Sequence, residues 1–128
     1  MTGSSGVVGV TANYPEQSVS AVKHYPYTFY ATVGHDGGQM MTLKNITVLN
    51  GYRGVGTRYE QQHEELIIDN FKGTFLDCGL ALYNCSDSDR ITGVSISSKY
   101  WNECSLGSAD ASSYVRANAV GMELGDLE

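Results

Sequence analysis

Cleaving a glycosidic bond takes two carboxyl groups facing each other across the sugar, about 5–5.5 Å apart for retention or about 6.5–9.5 Å for inversion. Glu16, held behind Pro15, and Asp77 are the candidates for general acid and base. The competing role for each is a carboxylate that accepts hydrogen bonds from turn amides. Elimination from a uronate would instead need a cation against its carboxylate and a base for the α-proton. Arg53, Arg58, Lys72 and Arg90 are available, and the tight Gly51-Tyr52-Arg53-Gly54 bend would display Arg53 rigidly. Rings that could bind a sugar are plentiful: nine Tyr and one Trp stand against three Phe. Amphipathic rings offer a flat apolar face beside polar groups. Tyr25, Tyr27, Tyr52, Tyr100 and Trp101 are expected on bends or excursions, and Tyr52, Arg53, Tyr100 and Trp101 are the candidate substrate-binding residues. Packing of an insertion against the outside of the fold is the rival role for Trp101.

Metal and thiol chemistry find little support. Asp87 and Asp89 sit among serines, but two carboxylates fall short of the roughly 6–8 oxygens that calcium takes. No paired Cys or His spacing suits zinc, and no cofactor is expected. Cys78, Cys85 and Cys104 make an odd count, and Cys78, beside Gly79, reads as a buried free thiol.

These residues hang on a repeat. An apolar residue, any residue, Gly or Asn, and a second apolar residue recur as Val7-Val8-Gly9-Val10, Leu43-Lys44-Asn45-Ile46, Ile68-Asp69-Asn70-Phe71 and Ile91-Thr92-Gly93-Val94. The turn residues stand 36, 25 and 23 positions apart. A second phrase, Gly54-Val55-Gly56-Thr57 and Gly79-Leu80-Ala81-Leu82, also recurs at 25, and Val120-Gly121-Met122-Glu123-Leu124 closes the series. Gly and Asn tolerate the positive φ that a bend needs. The pattern predicts an all-β, single-stranded, right-handed parallel β-helix of about four coils. Asn45 should then stack on Asn70, and Gly54 on Gly79. The same period puts Asp77 one coil from Tyr52 and Asp69 one coil from Lys44, neither of which is a carboxylate pair.

Two excursions interrupt the repeat. The first, from Ala12 to about Gln39, holds both prolines, which belong at strand edges or on loops. The second, Ser98 to Asn118, is expected to form one short helix capped by Ser108. Glu60 to Glu65 reads as a polar connection.

A chain of 128 residues makes one domain at most, read here as 1–128 of a β-helix truncated at both ends. The net charge of −6 with eight Lys plus Arg argues against nucleic acid as a partner. No long apolar run suggests a membrane span, and the opening residues lack the form of a secretory signal. Uncapped coils expose apolar side chains and strand edges, so self-association is expected.

Several phrases carry a resemblance: Tyr14-Pro15-Glu16-Gln17, Tyr25-Pro26-Tyr27-Thr28, Asn50-Gly51-Tyr52-Arg53-Gly54, Phe71-Lys72-Gly73-Thr74, and Lys99-Tyr100-Trp101 followed by Tyr114 to Gly121. They resemble successive coils of bacterial β-helix proteins of the pectate-lyase-like superfamily. The resemblance implies a secreted or cell-surface, carbohydrate-active protein, a polysaccharide hydrolase or lyase, with a polysaccharide or oligosaccharide as partner. The alternative is a non-catalytic glycan-binding or structural β-helix, as in an adhesin or tail-fibre stalk. The Asn-Thr-Asp, Asp-Asp and Gly-His-Gly motifs of polygalacturonases are absent, Gly34-His35-Asp36 being the nearest string. No family catalytic residue transfers by motif, and the isolated chain is expected to be inactive.

Overall fold

The computed structural model describes residues 5–31, 41–58, 63–86, 89–102 and 110–125. Two long strands dominate: β4 (Met41–Thr57) and β6 (Leu66–Tyr83) lie side by side. On one edge, β1 (Ser5–Val8), β2 (Thr11–Asn13) and β3 (Tyr27–Ala31) pair with successive parts of β4. On the other, β8 (Arg90–Thr92), β9 (Ser95–Ile96) and β10 (Val120–Gly125) pair in the same way with β6. A further pair, β5 (His63–Glu64) with β7 (Cys85–Ser86), is a small separate sheet. The chain is thus mostly β, and its main sheet is parallel and not closed. The polar connection expected from Glu60 to Glu65 is in part this strand β5, with His63 buried; residues 59–62 lie outside the described residues.

Positive φ marks the bends. Gly9, Asn45, Asn70 and Gly93 adopt φ of 70°, 54°, 54° and 62°, the four turn positions of the repeat. These residue types are there because a side chain branched near the backbone is disfavoured in this region. Leu43 faces Ile68 and Lys44 faces Asp69, at the expected offset of 25. Across the bend, Asn70 Nδ2 donates to Asn45 Oδ1 at 2.8 Å, so the expected stack of asparagines is present. Gly54 and Gly79 also meet as expected: a Cβ built on Gly54 would lie 2.2 Å from the Gly79 carbonyl oxygen. The offset slips once. Gly51 faces Phe75, a spacing of 24, before Arg53 facing Cys78 restores 25. Asn50, at φ 58°, takes up the slip in β4.

Apolar residues on both long strands make the core. Leu43, Ile46, Val48 and Val55 of β4 meet Ile68, Phe71, Phe75 and Leu80 of β6, all 1% exposed or less. Along each strand buried apolar residues are interspersed with polar ones on the outer face, as a half-covered sheet requires. Phe71 and Phe75 stack with centroids 5.9 Å apart, and Phe29 meets Phe71 edge-on at 6.5 Å. Each aromatic pair adds about 0.5–1.5 kcal/mol beyond its burial.

Both prolines lie off the strands, between β2 and β3. The single expected helix is two: α1 (Lys99–Asn102) and α2 (Ser112–Asn118). Ser108 lies outside the described residues. The first-turn amide of Ser112 instead donates to Asp110 Oδ1 at 2.9 Å, and Asp110 Oδ2 takes the Ser112 hydroxyl at 2.7 Å. A one-turn helix carries no usable periodicity, which is why α1 leaves no trace in the pattern.

The asparagine stack is testable by substitution. Asn70→Ala loses the side-chain bond and leaves in the left-handed region a residue without asparagine's local polar support, where an ordinary side chain costs up to about 1–2 kcal/mol. Asn70→Gly loses only the bond. Urea unfolding should rank alanine below glycine by about 1 kcal/mol; equal midpoints would show that the bend does not constrain the residue type.

Candidate functional site

Arg53 lies in register between Tyr27 of β3 and Cys78 of β6. Its Nε donates to the Asp77 carboxylate. The guanidinium carbon lies 5.3 Å from the Tyr27 ring centroid and 5.6 Å from that of Tyr52. Those rings extend the stack: Tyr27 lies on Tyr30 at 5.5 Å and 12°, and Tyr52 lies on His24 at 4.8 Å and 6°. The result is a series Tyr30, Tyr27, Arg53, Tyr52, His24, ended by two exposed residues. Arginine suits this place because its planar cation stacks on rings while its edge donates to a carboxylate.

Local sequence explains each position. Gly56 lacks a side chain where the Tyr27 ring lies: a Cβ there would be 2.8 Å from three ring carbons. The Thr28 hydroxyl donates to the Arg53 carbonyl at 2.9 Å and accepts from the Tyr14 hydroxyl at 3.0 Å, tying β3 to β4. His24 is carried by a loop stapled from within by buried Gln17. The Gln17 Oε1 accepts from the Ser18 and Lys23 amides at 3.2 and 2.8 Å, and its Nε2 donates to the Lys23 carbonyl at 2.7 Å.

Charge in the site is balanced. The hydrogen bond to Asp77 holds the Arg53 pKa above its ordinary value. Burial raises Tyr27 and Tyr52, with Arg53 pulling both back. The hydrogen bond to Glu123 pushes the Tyr83 hydroxyl up to about 12, so that phenol stays protonated and donates to the carboxylate. Burial raises the Cys78 thiol and pushes that of Cys85 up to about 11, which leaves both as poor nucleophiles. Both are free; Cys104 lies outside the described residues.

The two carboxylates singled out for catalysis are engaged separately. Exposed Glu16 pairs with Lys23, whose hydrogen bond lowers its pKa, the opposite of what a general acid needs. Asp77 pairs with Arg53. Among the expected sugar-binding residues, Tyr52 and Arg53 come together. Tyr100 and Trp101 do not join them at the surface: they are 5% and 1% exposed. Trp101 packs on Leu76 and Ala111 in a second cluster that also takes the flank of Tyr52, so helices α1 and α2 brace the site from behind. Tyr100 donates its hydroxyl to Ser95 Oγ at 3.0 Å. Tyr27 and Tyr52 belong to strands β3 and β4, not to excursions; Tyr25 lies off the strands.

His24, Tyr27 and Tyr30 were not singled out as site residues by the sequence. The repeat held a usable signal for Asp77, since the 25-residue period sets it opposite Tyr52, one residue from an arginine. Among the described residues no group of three or more His, Cys, Asp or Glu gathers to hold a metal. Asp89 Oδ1 instead accepts from the Leu66 amide at 2.7 Å, while Asp87 and the Gly34-His35-Asp36 string lie outside the described residues. No helix among the described residues is long and apolar enough to cross a membrane. Comparison with protein families, with curated proteins and with solved structures finds no match for this chain.

Proposed function

We propose that the chain is part of a right-handed parallel β-helix of the pectate-lyase-like kind, from a secreted or surface carbohydrate-active protein, and that its own contribution is to bind glycan. One observation carries the reading: a guanidinium within 5.3 and 5.6 Å of two tyrosine rings and fixed through Nε to a carboxylate. Within the stack the faces of Tyr27 and Tyr52 are occupied, so the exposed end rings, Tyr30 and His24, supply the free faces for the C–H side of a pyranose, while the Arg53 Nη groups, the Asp77 oxygens and the tyrosine hydroxyls supply partners for its hydroxyls. The glycan this favours is neutral. Asp77 already offsets the Arg53 charge, Glu123 stands near Tyr83, and the chain carries −6, so a polyuronate would meet repulsion. The β-helix is supported by parallel strands in one register and by bends at repeat-spaced Gly and Asn. Binding is favoured over hydrolysis or elimination because Glu16 and Asp77 are each neutralised by a different cation.

Calorimetric titration with neutral β-linked oligosaccharides and with oligogalacturonate tests this. Neutral chains should bind, and Tyr30→Ala or Arg53→Gln should each weaken them about tenfold, or about 1.4 kcal/mol. Neither β-glucans nor pectins should be cleaved above background. Equal binding by both variants, or a preference for the uronate, would defeat the proposal; turnover lost in Glu16→Gln or Asp77→Asn would restore the enzyme.

A further inference from the structure

The two outer edges of the main sheet match each other position by position. Val7 pairs with Leu43, Leu43 with Ile68 and Ile68 with Ile91. Phe29 pairs with Val55, Val55 with Leu80 and Leu80 with Met122. Ala31 pairs with Thr57 on one side, and Leu124 pairs with Leu82 on the other. At the bend the inner coils carry hydrogen-bonded Asn45 and Asn70, while the outer ones carry Gly9 and Gly93 at the same sign of φ. Among the described residues a Cβ on Gly9 would touch nothing within 4 Å.

We propose that two copies of this chain dock head to tail, the β8, β9 and β10 edge of one copy continuing onto the β1, β2 and β3 edge of the next in the register that joins β4 to β6. The pairing would set Ile91 beside Val7, Met122 beside Phe29 and Leu124 beside Ala31, where a small residue leaves room for leucine. It would also set Gly93 beside Gly9.

Three further features favour a second copy as the occupant. The edges are apolar: Val8 and Val10 are 63% and 39% exposed at one end, and Val120, Met122 and Leu124 are 47%, 41% and 67% exposed at the other. A cavity of about 270 Å³ opens at the first end between Val7, Phe29 and Leu43, and one of about 440 Å³ opens at the second between Leu66, Leu82 and Ile91. Each is a core gap that the next coil would fill. Among the described residues the edges are lightly protected: β1 and β10 carry no Lys or Pro, and the charges on the second edge are Arg90 of β8 and Glu123 of β10. Because the strands are parallel, the contact joins two different surfaces and leaves one of each free, which makes an open series in place of a closed dimer. This inference rests on strand register and on the apolar edges, and it does not require glycan binding.

Sedimentation velocity over about two decades of concentration tests it, with two blocked variants. Val8→Lys with Val10→Lys blocks one edge, and Met122→Lys with Leu124→Lys blocks the other. The parent should grow past dimer with concentration, each variant alone should stay monomeric, and an equimolar mixture should stop at dimer through the two free edges. Circular dichroism checks folding. If a double variant unfolds, the single change at the more exposed side chain of the same edge takes its place, Val8→Lys for the first edge and Leu124→Lys for the second. A parent that stays monomeric throughout, a blocked variant that still dimerises by itself, or a mixture that stays monomeric would each overturn the proposal.

Discussion

Gly54→Ala is expected to unfold the chain at ordinary temperature. The added Cβ would lie 2.2 Å from the Gly79 carbonyl oxygen and 2.9 Å from two carbons of the Phe75 ring. No rotamer change relieves a contact with backbone, so β4 and β6 would have to part towards their C-terminal ends. That pair holds most of the core, and Phe75 is fully buried within it. A penalty above about 4 kcal/mol falls in the range reserved for a few severe mechanisms, and it would use up most of a margin near the lower end of the usual range of about 5–15 kcal/mol. Gly6→Ala is the control: its Cβ would stand 3.4 Å from the nearest atom, the Thr42 carbonyl oxygen. Urea unfolding of both variants decides the matter, since a Gly54→Ala midpoint within about 1 kcal/mol of the parent would mean that the two strands do not approach as described.

Trp101→Ala should be the next most damaging change, at about 3–5 kcal/mol, because it empties the space between Leu76 and Ala111. Trp101→Phe should cost far less. The indole Nε1 is buried with no hydrogen-bond partner among the described residues, and an unsatisfied donor costs about 1–3 kcal/mol. Phenylalanine removes that donor while keeping most of the apolar volume. Trp101 is the lone tryptophan, so its emission reports the site directly. Blue-shifted fluorescence resistant to acrylamide is expected; emission typical of wet indole would return Trp101 to the sugar-binding rings. The alanine variant should also loosen Tyr52, which leans on the same cluster.

The bends were legible in the sequence because positive φ admits few residue types. Gly9, Asn45, Asn70 and Gly93 therefore announce both the period and the strand register. The tryptophan was not legible: an amphipathic ring reads alike whether it faces sugar or core, and only the packing of α1 and α2 on Leu76 separates the two. Glu16 failed for a different reason. The loop from Tyr14 to Pro26 follows the Gln17 amide and not the repeat, so the period says nothing of where its carboxylate goes. The period sets Asp77 beside the correct coil, but its partner is the cation of Arg53 and not a second carboxylate.

The slip at Gly51 behaves like a shift in a reading frame. One strand gains a residue at Asn50, the next gains one at Leu76 and Asp77, and the two changes cancel before Val55 meets Leu80. Everything downstream is read in the original frame. An added residue at this corner is therefore heard locally and silenced a few positions later, provided the neighbouring coil answers it. Asp77 stands inside that interval and Arg53 at its end, so a change of length at the site need not disturb the register of the core beyond it.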